Sequence, residues 1–475
     1  MKKNNLQPIE KPAAYSKRWS ALFLLCTAQF IVIMDTSIIG VALPAIKADL
    51  GYSQSGLQWI FNAYVISLGG FLLLGGSFSD IFGARKVFMW GFAILSAASL
   101  LAGLAWSEAT LNTGRALQGL GSALISPAAL TLLLSKFIDP KELNKAFGFW
   151  GASAAAGGSA GVFLGGAITE WLSWHWIFII NIPVGLAVLV YSQRLLFKGN
   201  IKKGKVDIAG AIFATAGLGL AVYTIVSAES AGWKALQTIG LSGISALLFI
   251  IFYVIQRKRK DPLVPLSIFK VPNLSSGNLV MGLLAASWIP LWFFLNLYLQ
   301  QTLNYSAFNS GLALLPMTIA IMFLMVGFTG KLVAKFGFKT NLIAGLVALT
   351  ASLLLFSTIP SDGNFMVNVL PASLLAAIGM SLAYIPGTIA SMSGAKPQET
   401  GLASGLVNTS YQIGSALGLA IIVAVSATKT NIEKTSGATD MIALNSGFKT
   451  AFFAAALVCA VAVIVAAFSI KTLEK

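Results

Sequence analysis

Leu241-Ser-Gly-Ile-Ser-Ala-Leu-Leu-Phe-Ile-Ile-Phe-Tyr-Val-Ile255 carries no charge, and its apolar residues point in every direction around a helix. The run Arg257-Lys258-Arg259-Lys260 follows at once. A helix apolar on all sides belongs in a core or in lipid. At 1.5 Å per residue, about 20 such residues cross the ~30 Å hydrocarbon layer. Barrel strands would alternate polar and apolar positions over about ten residues, and this stretch does not. The same kind of block recurs at roughly 19–43, 57–77, 87–106, 111–134, 146–168, 175–196, 208–228, 236–256, 274–299, 311–331, 339–359, 366–392, 404–427 and 449–470. The expected fold class is therefore an all-α integral membrane protein of fourteen spans.

Composition points the same way. Only 10% of the residues are charged and 57% are hydrophobic, against roughly 25% charged in soluble chains. The net charge of +16 raises the question of nucleic acid, and the placement of the charges answers it. With the amino terminus inside, 26 of the 32 Lys and Arg fall in cytosolic segments. The outer segments hold only Lys47, Lys234, Lys429, Lys434 and Lys449. This positive-inside pattern holds at every loop only for an even number of spans, with both termini cytosolic. The bases report topology and anionic lipid, and no clustered basic face for nucleic acid is present. Cys26 and Cys459 both fall in spans and give no disulfide framework. The first block contains Asp35 and lacks a small-residue cleavage pattern, so it reads as a span and not as a signal peptide.

The chain divides into a cytosolic tail (1–18), a six-span block (19–197), a basic loop with two spans and a cytosolic linker (198–273), and a second six-span block with a short tail (274–475). An internal echo relates the two blocks. After span 2 the chain reads Gly76-Ser-Phe-Ser-Asp80-Ile-Phe-Gly83-Ala-Arg85, and after span 10 Gly330-Lys-Leu-Val-Ala-Lys-Phe-Gly337-Phe-Lys339. Both show Gly, six residues, Gly, one residue and a base at the second cytosolic turn of their block, as parallel repeats do. A tight cytosolic turn by itself also favours Gly and a base; spacing and position together favour the repeat.

Few residues inside the spans carry chemistry. Asp35 lies in span 1, where a carboxylate costs several kcal/mol unless it faces a cavity or a partner. Arg115 is the one base placed within a span, and it lies at a depth comparable to Asp35. If spans 1 and 4 touch, each is the other's counter-charge, and protonating Asp35 weakens the contact. A structural hydrogen-bonding Asp and an Arg bracing carbonyls remain the alternative readings. In span 5, Gly148, Gly157, Gly161, Gly165 and Gly166, with Gly158 beside them, form a ladder whose steps put several on one face, where helices can approach closely. The turn residues Gly76, Asp80, Gly83, Arg85 and Lys86 form either a cytosolic gate held by salt bridges and helix termini or a plain turn. Trp288, Trp292, Phe293 and Phe294 offer stacking and cation–π contacts to a substrate, or a packed or lipid-facing surface.

Other features read as structural. Glu170 and Glu229 sit at outer span ends, and Asp207 is placed to cap the seventh span. His175, the sole histidine, leaves no metal-spaced cluster and no catalytic set for a lipid-modifying enzyme. Gly199-Asn-Ile-Lys-Lys-Gly204-Lys205 half-matches a phosphate-binding loop but lacks the following Ser or Thr and follows no strand, so no ATP site is expected. Asp362, Glu399, Glu433 and Asp440 map to loops, leaving spans 9–14 without an acid. A second substrate charge would find little there to neutralise it.

With these motifs in place, the chain resembles the major facilitator superfamily in its 14-helix drug:proton antiporter branch, over about Trp19 to Leu473. Met34-Asp-Thr-Ser-Ile-Ile-Gly-Val-Ala-Leu-Pro-Ala-Ile46 resembles the branch's first-span signature. Gly76 to Lys86 resembles the superfamily's second-turn motif, and Leu111, Arg115, Gln118, Gly119 and Gly121 its fourth-span motif. The glycine ladder resembles the antiporter motif, with Val162 where proline is usual, and Trp174-His175-Trp176-Ile-Phe-Ile-Ile-Asn181-Ile-Pro183 the start of the sixth span, with His175 where Arg is usual. The resemblance implies two pseudo-symmetric six-helix bundles around a cavity with two extra helices outside. It also implies export of structurally varied lipophilic drugs in exchange for protons across a bacterial inner membrane, and the acid-free spans 9–14 narrow these to monocationic, zwitterionic or neutral compounds. Arg115 would take part in proton coupling, with no cofactor or ATP and a monomer as the working unit. A dedicated exporter of one metabolite, lipid or siderophore on the same fold is the alternative.

Overall fold

Residues 18–137, 139–197, 207–259, 261–396 and 399–472 are described by a computed structural model. The described residues are helical almost throughout. In order the helices are α1 (Arg18–Ser37), α2 (Ile39–Leu50), α3 (Gln58–Phe78), α4 (Ala84–Gly103), α5 (Glu108–Lys136), α6 (Pro140–Trp171), α7 (Trp176–Ile179), α8 (Asn181–Leu195), α9 (Ile208–Ala231), α10 (Leu236–Lys258), α11 (Leu274–Leu297), α12 (Ala307–Leu324), α13 (Gly330–Phe356), α14 (Leu370–Met392), α15 (Thr400–Thr435) and α16 (Asp440–Ser469).

Local chemistry sets several boundaries. Ser107, Asp207 and Ser306 each accept a backbone N–H at the start of α5, α9 and α12, a cap that stabilises by about 1 kcal/mol. Asp207 is therefore the expected cap. The first span is two helices, α1 and α2, broken at Ile38. Pro44, inside α2, has no N–H to give the carbonyl four residues back. The second helix runs on to Gly51, whose left-handed φ of 76° ends it.

The segment between α3 and α4 is not an open loop. A π-helical turn, Ser79–Gly83, continues α3, and Gly83 alone breaks the path at φ 90°, ψ 130°. In the second block Gly337 takes φ 77°, ψ 163° inside α13. Both conformations are open essentially to glycine alone. The second glycine of each echoed motif is thus the point where the backbone turns. Among the described residues, twelve helical stretches are long and apolar enough to cross a membrane; the two longest, Gln58–Gly103 and Ala307–Phe356, contain these breaks.

The halves pack by the same scheme. In the first, α1 lies on α6 and α4 on α5; in the second, α11 lies on α15 and α13 on α14. These are the equivalent pairs of a repeat. The contacts use small residues, as in Gly282 against Gly414 and Gly345 against Gly379, because helices in lipid gain most from close backbone approach. Helices α9 and α10 pair with each other, and α9 lies against both α3 and α15. There Leu218 and Val222 join a cluster with Tyr64, Val65, Ala416 and Ala420. Asp207 ties this pair at its base, bonded by Gln256 (2.7 Å) and Arg259 (3.1 Å).

Candidate functional site

Helix α5 places Arg115, Gln118 and Ser122 at steps of three and four, which makes one polar stripe on an otherwise apolar helix. Glycines let its neighbours approach: a Cβ at Gly119 would strike the Tyr64 carbonyl of α3, and one at Gly121 would press on α4. The stripe meets Asp35, which enters from α1. Arg115 Nη1 lies 2.6 Å from Asp35 Oδ2, with both side chains 0% exposed. The α5 helix begins at Glu108, three residues before its apolar block, so Arg115 sits roughly 10 Å along it.

The pair is held from five helices. Asp35 Oδ1 accepts from Asn181 Nδ2 of α8 (2.9 Å) and from Gln118 Nε2 (3.2 Å). Arg115 donates from Nε to the Ile60 carbonyl of α3 (2.9 Å) and from Nη1 to Gln118 Oε1 (2.8 Å). Gln118 also donates to Ser99 of α4 (2.8 Å). The guanidinium stands 4.4 Å over the Tyr64 ring, a cation–π contact that is strongest away from water. Arg115 Nη2 and Asn181 Oδ1 are buried without a hydrogen-bond partner. A buried ion pair balances a large desolvation cost against attraction and hydrogen bonds, and removing one partner costs about 3–5 kcal/mol.

Asn181 is the member that the sequence reading quotes without giving it a role. Its signal is a neutral amide at the mouth of an apolar span, a group that must find partners there.

The glycine ladder divides. A Cβ at Gly157, Gly161 or Gly165 would collide with the backbone of α1 at Phe30, Met34 and Ile38, and Ser37 Oγ reaches the Gly157 carbonyl at 3.4 Å. Gly166 instead meets Ala307 and Phe308 of α12, while Gly148 has nothing within 4 Å and Gly158 faces open space beside Ile33. Gly148 is thus not part of the contact face, because it lies more than two turns away toward the other end of α6. Val162 is buried, with its carbonyl against Gly311.

The motif at the turn forms one contact of note. Arg85 donates to the Leu196 carbonyl (3.2 Å) and reaches that of Gln193 (3.5 Å), at the carboxyl end of α8, where the helix dipole favours a cation. Gly76 approaches Pro127 no closer than an ordinary contact. Asp80 and Lys86 are exposed.

The aromatic run does not wall an open cavity. Phe294 packs on Phe448 and Phe452 inside the second half, and Trp288 is buried against the same core. Phe293 meets Phe61 of the first half, and Trp292 is half-buried beside Trp288. Trp288 and Trp292, four apart, share one face of the helix, and Phe293 and Phe294 turn away from it in successive steps of about 100°.

At the end of the molecule carrying the turns 51–57 and 172–175, the halves are tied by two glutamine amides and one carboxylate. Gln54 donates to Gln301 (3.0 Å), Gln300 to the Val41 carbonyl (2.9 Å), and the Phe308 N–H to Glu170 (2.7 Å). Glu170 is thus a cap across the two halves. Nearby, Trp174 donates to Asp49 (2.9 Å) and stacks on His175 at 3.7 Å. Glu433 and Asp440 lie in the ends of α15 and α16 and not in loops, paired with Lys429 and Lys434. The helices outrun the apolar blocks there because their last turns extend past lipid. The Gly199–Lys205 stretch, residues 1–17 and the Glu229 side chain lie outside the described residues.

A helical protein crossing a membrane many times, with one ion pair sealed at the junction of five helices of one half, belongs to the class of secondary transporters. The chain belongs to the Major Facilitator Superfamily, whose family profile matches residues 25–419. It is similar to the cephamycin export protein CmcT of Amycolatopsis lactamdurans, at 36% identity over 87% of this chain and 86% of that one. It is also similar to the puromycin resistance protein pur8 of Streptomyces alboniger, at 33% identity over 88% and 84%. The fold is shared with the crystal structure of the peptide-transporter-family protein PepTSo, with a TM-score of 0.66 and 17% identity over 94% of this chain and 98% of that one. The nucleoside transporter NupG gives a TM-score of 0.65 and 13% identity over 96% and 100%. The protein is a multi-pass membrane transporter and not an enzyme.

Proposed function

We propose that this chain exports small lipophilic compounds by alternating access, in exchange for protons bound at Asp35. The observation that carries the reading is the sealed contact of Asp35 with Arg115, Gln118 and Asn181. A carboxylate that accepts three donors holds α1 to α5 and α8. Once protonated, it attracts Arg115 far less, and α1 is released to move along the smooth face that Gly157, Gly161 and Gly165 offer it. Gly83, with Arg85 at the end of α8, then serves as the pivot of the cytosolic turn, and the amide ties at the opposite end as the outer closure.

Counting each of the two glycine-broken stretches as two spans gives fourteen, in the order six, two and six. With the positive-inside bias, an even count supports both termini lying in the cytosol of a bacterial inner membrane. The working unit is a monomer that draws on the proton gradient and not on ATP. Substrates are monocationic, zwitterionic or neutral, because α11, α12 and α14 carry no charged residue. A dedicated exporter is the second reading, favoured by relatives named for single compounds, cephamycin and tetracenomycin C.

The test is reconstitution in vesicles that report internal pH, challenged with a panel of unrelated lipophilic monocations, neutral compounds and dications. Proton movement on adding several unrelated monocations supports the polyspecific antiporter. Movement with one compound alone supports the dedicated exporter, and transport indifferent to the pH gradient removes proton coupling. Equal export of dications, with no acid recruited, removes the charge rule.

A further inference from the structure

Tyr384 of α14 and Tyr411 of α15 meet edge to face, with ring centroids 5.5 Å apart and planes at 88°. Tyr384 is eight residues from the Met392 end of its helix and Tyr411 eleven from Thr400, so both lie roughly 12–17 Å deep. That is near the middle of a ~30 Å layer. Both are partly buried, and neither hydroxyl makes a hydrogen bond among the described residues. A hydroxyl facing lipid at that depth would cost several kcal/mol.

The helical register shows that they face inward instead. On α15, Ala416, Ala420, Ile413 and Leu417 lie under α9, and Gly414 and Gly418 pack on α11. Tyr411 and the exposed Asn408 fall on the remaining side. On α14, Gly387 and Ser391 face α11, whereas the exposed Leu374, Ile378 and Ile389 are apolar and face lipid. Tyr384 and Thr388 lie on the flank between α11 and α12. The ring contact closes this wall from α14 to α15. It is polar without being charged: α14 has no ionisable side chain but Tyr384, and α15 has no Asp, Glu, Lys or Arg before Lys429.

We propose that Tyr384 and Tyr411, extended by Asn408, form an aromatic hydrogen-bonding subsite for uncharged planar ring compounds that carry hydroxyl or carbonyl groups. The ring faces supply stacking area, and the two hydroxyls supply donors and acceptors. Asn408, whose Nδ2 donates to the Ser404 carbonyl (3.0 Å), adds its amide oxygen as an acceptor, and the absence of a carboxylate leaves nothing to reward a second positive charge. The inference deepens the export reading and rests on it for the word substrate, though not for binding.

The test uses the purified full-length chain and a matched pair of probes, a dihydroxyanthraquinone and its dimethyl ether, with binding followed by quenching of protein tryptophan fluorescence. The wild type should prefer the dihydroxy compound. Tyr384→Phe and Tyr411→Phe should each raise its Kd about three- to tenfold, the range of a net hydrogen bond, and raise that of the ether, which keeps only the quinone carbonyls, by less. Tyr411→Leu should weaken both. Tyr253→Phe, on the exposed face of α10, should change neither. The inference is overturned if the wild type does not distinguish the probes, or if both Phe variants keep its preference. Unfolding temperatures equal to the wild type's show that a loss is not misfolding, and either Phe variant suffices. Vesicle transport separates the two ideas. The expected binding pattern with no compound moved sinks export and leaves the subsite standing; transport untouched by the Phe variants sinks the subsite alone.

Discussion

The two halves share a packing scheme and differ in how they treat polar groups. In the first half, Asp35, Arg115, Gln118 and Asn181 are sealed among helices with most of their hydrogen bonds made. In the second, Asn278 has both amide atoms buried without a partner, and the Tyr384 and Tyr411 hydroxyls are unmatched. A satisfied buried network is stiff and specific, while unmatched groups of modest polarity wait for something to bind. On the proposed reading the two bundles divide the labour: the first supplies the charge switch at Asp35, and the second the uncharged wall at Tyr384 and Tyr411.

The strongest way to break this division is to neutralise the switch. Asp35→Asn should reduce proton-driven transport by at least about a hundredfold in vesicles. It also strands Arg115, at a cost of about 3–5 kcal/mol, so the loss has to be separated from misfolding. The double change Asp35→Asn with Arg115→Gln removes the stranded charge. It should recover thermal stability without recovering coupled transport. Asp35→Asn vesicles that still acidify in exchange for substrate would end the assignment.

Next in size is the glycine face. Gly161 of α6 and Gly414 of α15 occupy equivalent helix pairs, and a Cβ at either would collide with its partner helix. Overpacking costs typically 1–3 kcal/mol. Gly161→Ala and Gly414→Ala should therefore lower unfolding temperature to a similar degree, while Gly161→Ala alone should slow transport beyond what stability explains. Gly148→Ala, with open space around it, should leave both unchanged. If the two tight variants lose transport equally, the ladder is packing and not a track.

These contrasts also show what the chain reveals before it folds. Spans are legible because lipid demands about 20 apolar residues in a row, and the Asp35–Arg115 contact was expected because two opposite charges in hydrocarbon have few alternatives. The turn after α3 was less legible. Gly83 was visible, but the π-helical turn before it depends on local backbone hydrogen bonding that side-chain types do not encode. Asn181 carries no charge and raises no alarm until its distance to Asp35 is known. The aromatic run at 288–294 left two readings open for a related reason: aromatic residues serve cores and cavities alike, and only the neighbours decide. Tyr384 and Tyr411, 27 positions apart in the chain, become a pair only through the packing of α14 and α15.

The smallest expected effect lies where the halves meet. Gln54 and Gln301 join them through a neutral bond of 3.0 Å, and such a bond contributes roughly 0.5–1.5 kcal/mol net. Gln301→Ala should then favour the state open at that end by a factor of about two to ten. The change is readable as faster thiol labelling at Ala307→Cys, beside Gly166, in a chain lacking Cys26 and Cys459. Both partners are uncharged, and the one charged contact, from Lys47 Nζ to Gln54 Oε1 (2.6 Å), is kept in the variant, so the labelling rate relative to wild type should vary little with salt. The Asp35 variants should behave differently, since their effect depends on the pH gradient. A labelling change that tracks salt would mean that charged groups such as Glu170 carry the closure, and that the outer tie belongs with the switch and not with the neutral wall.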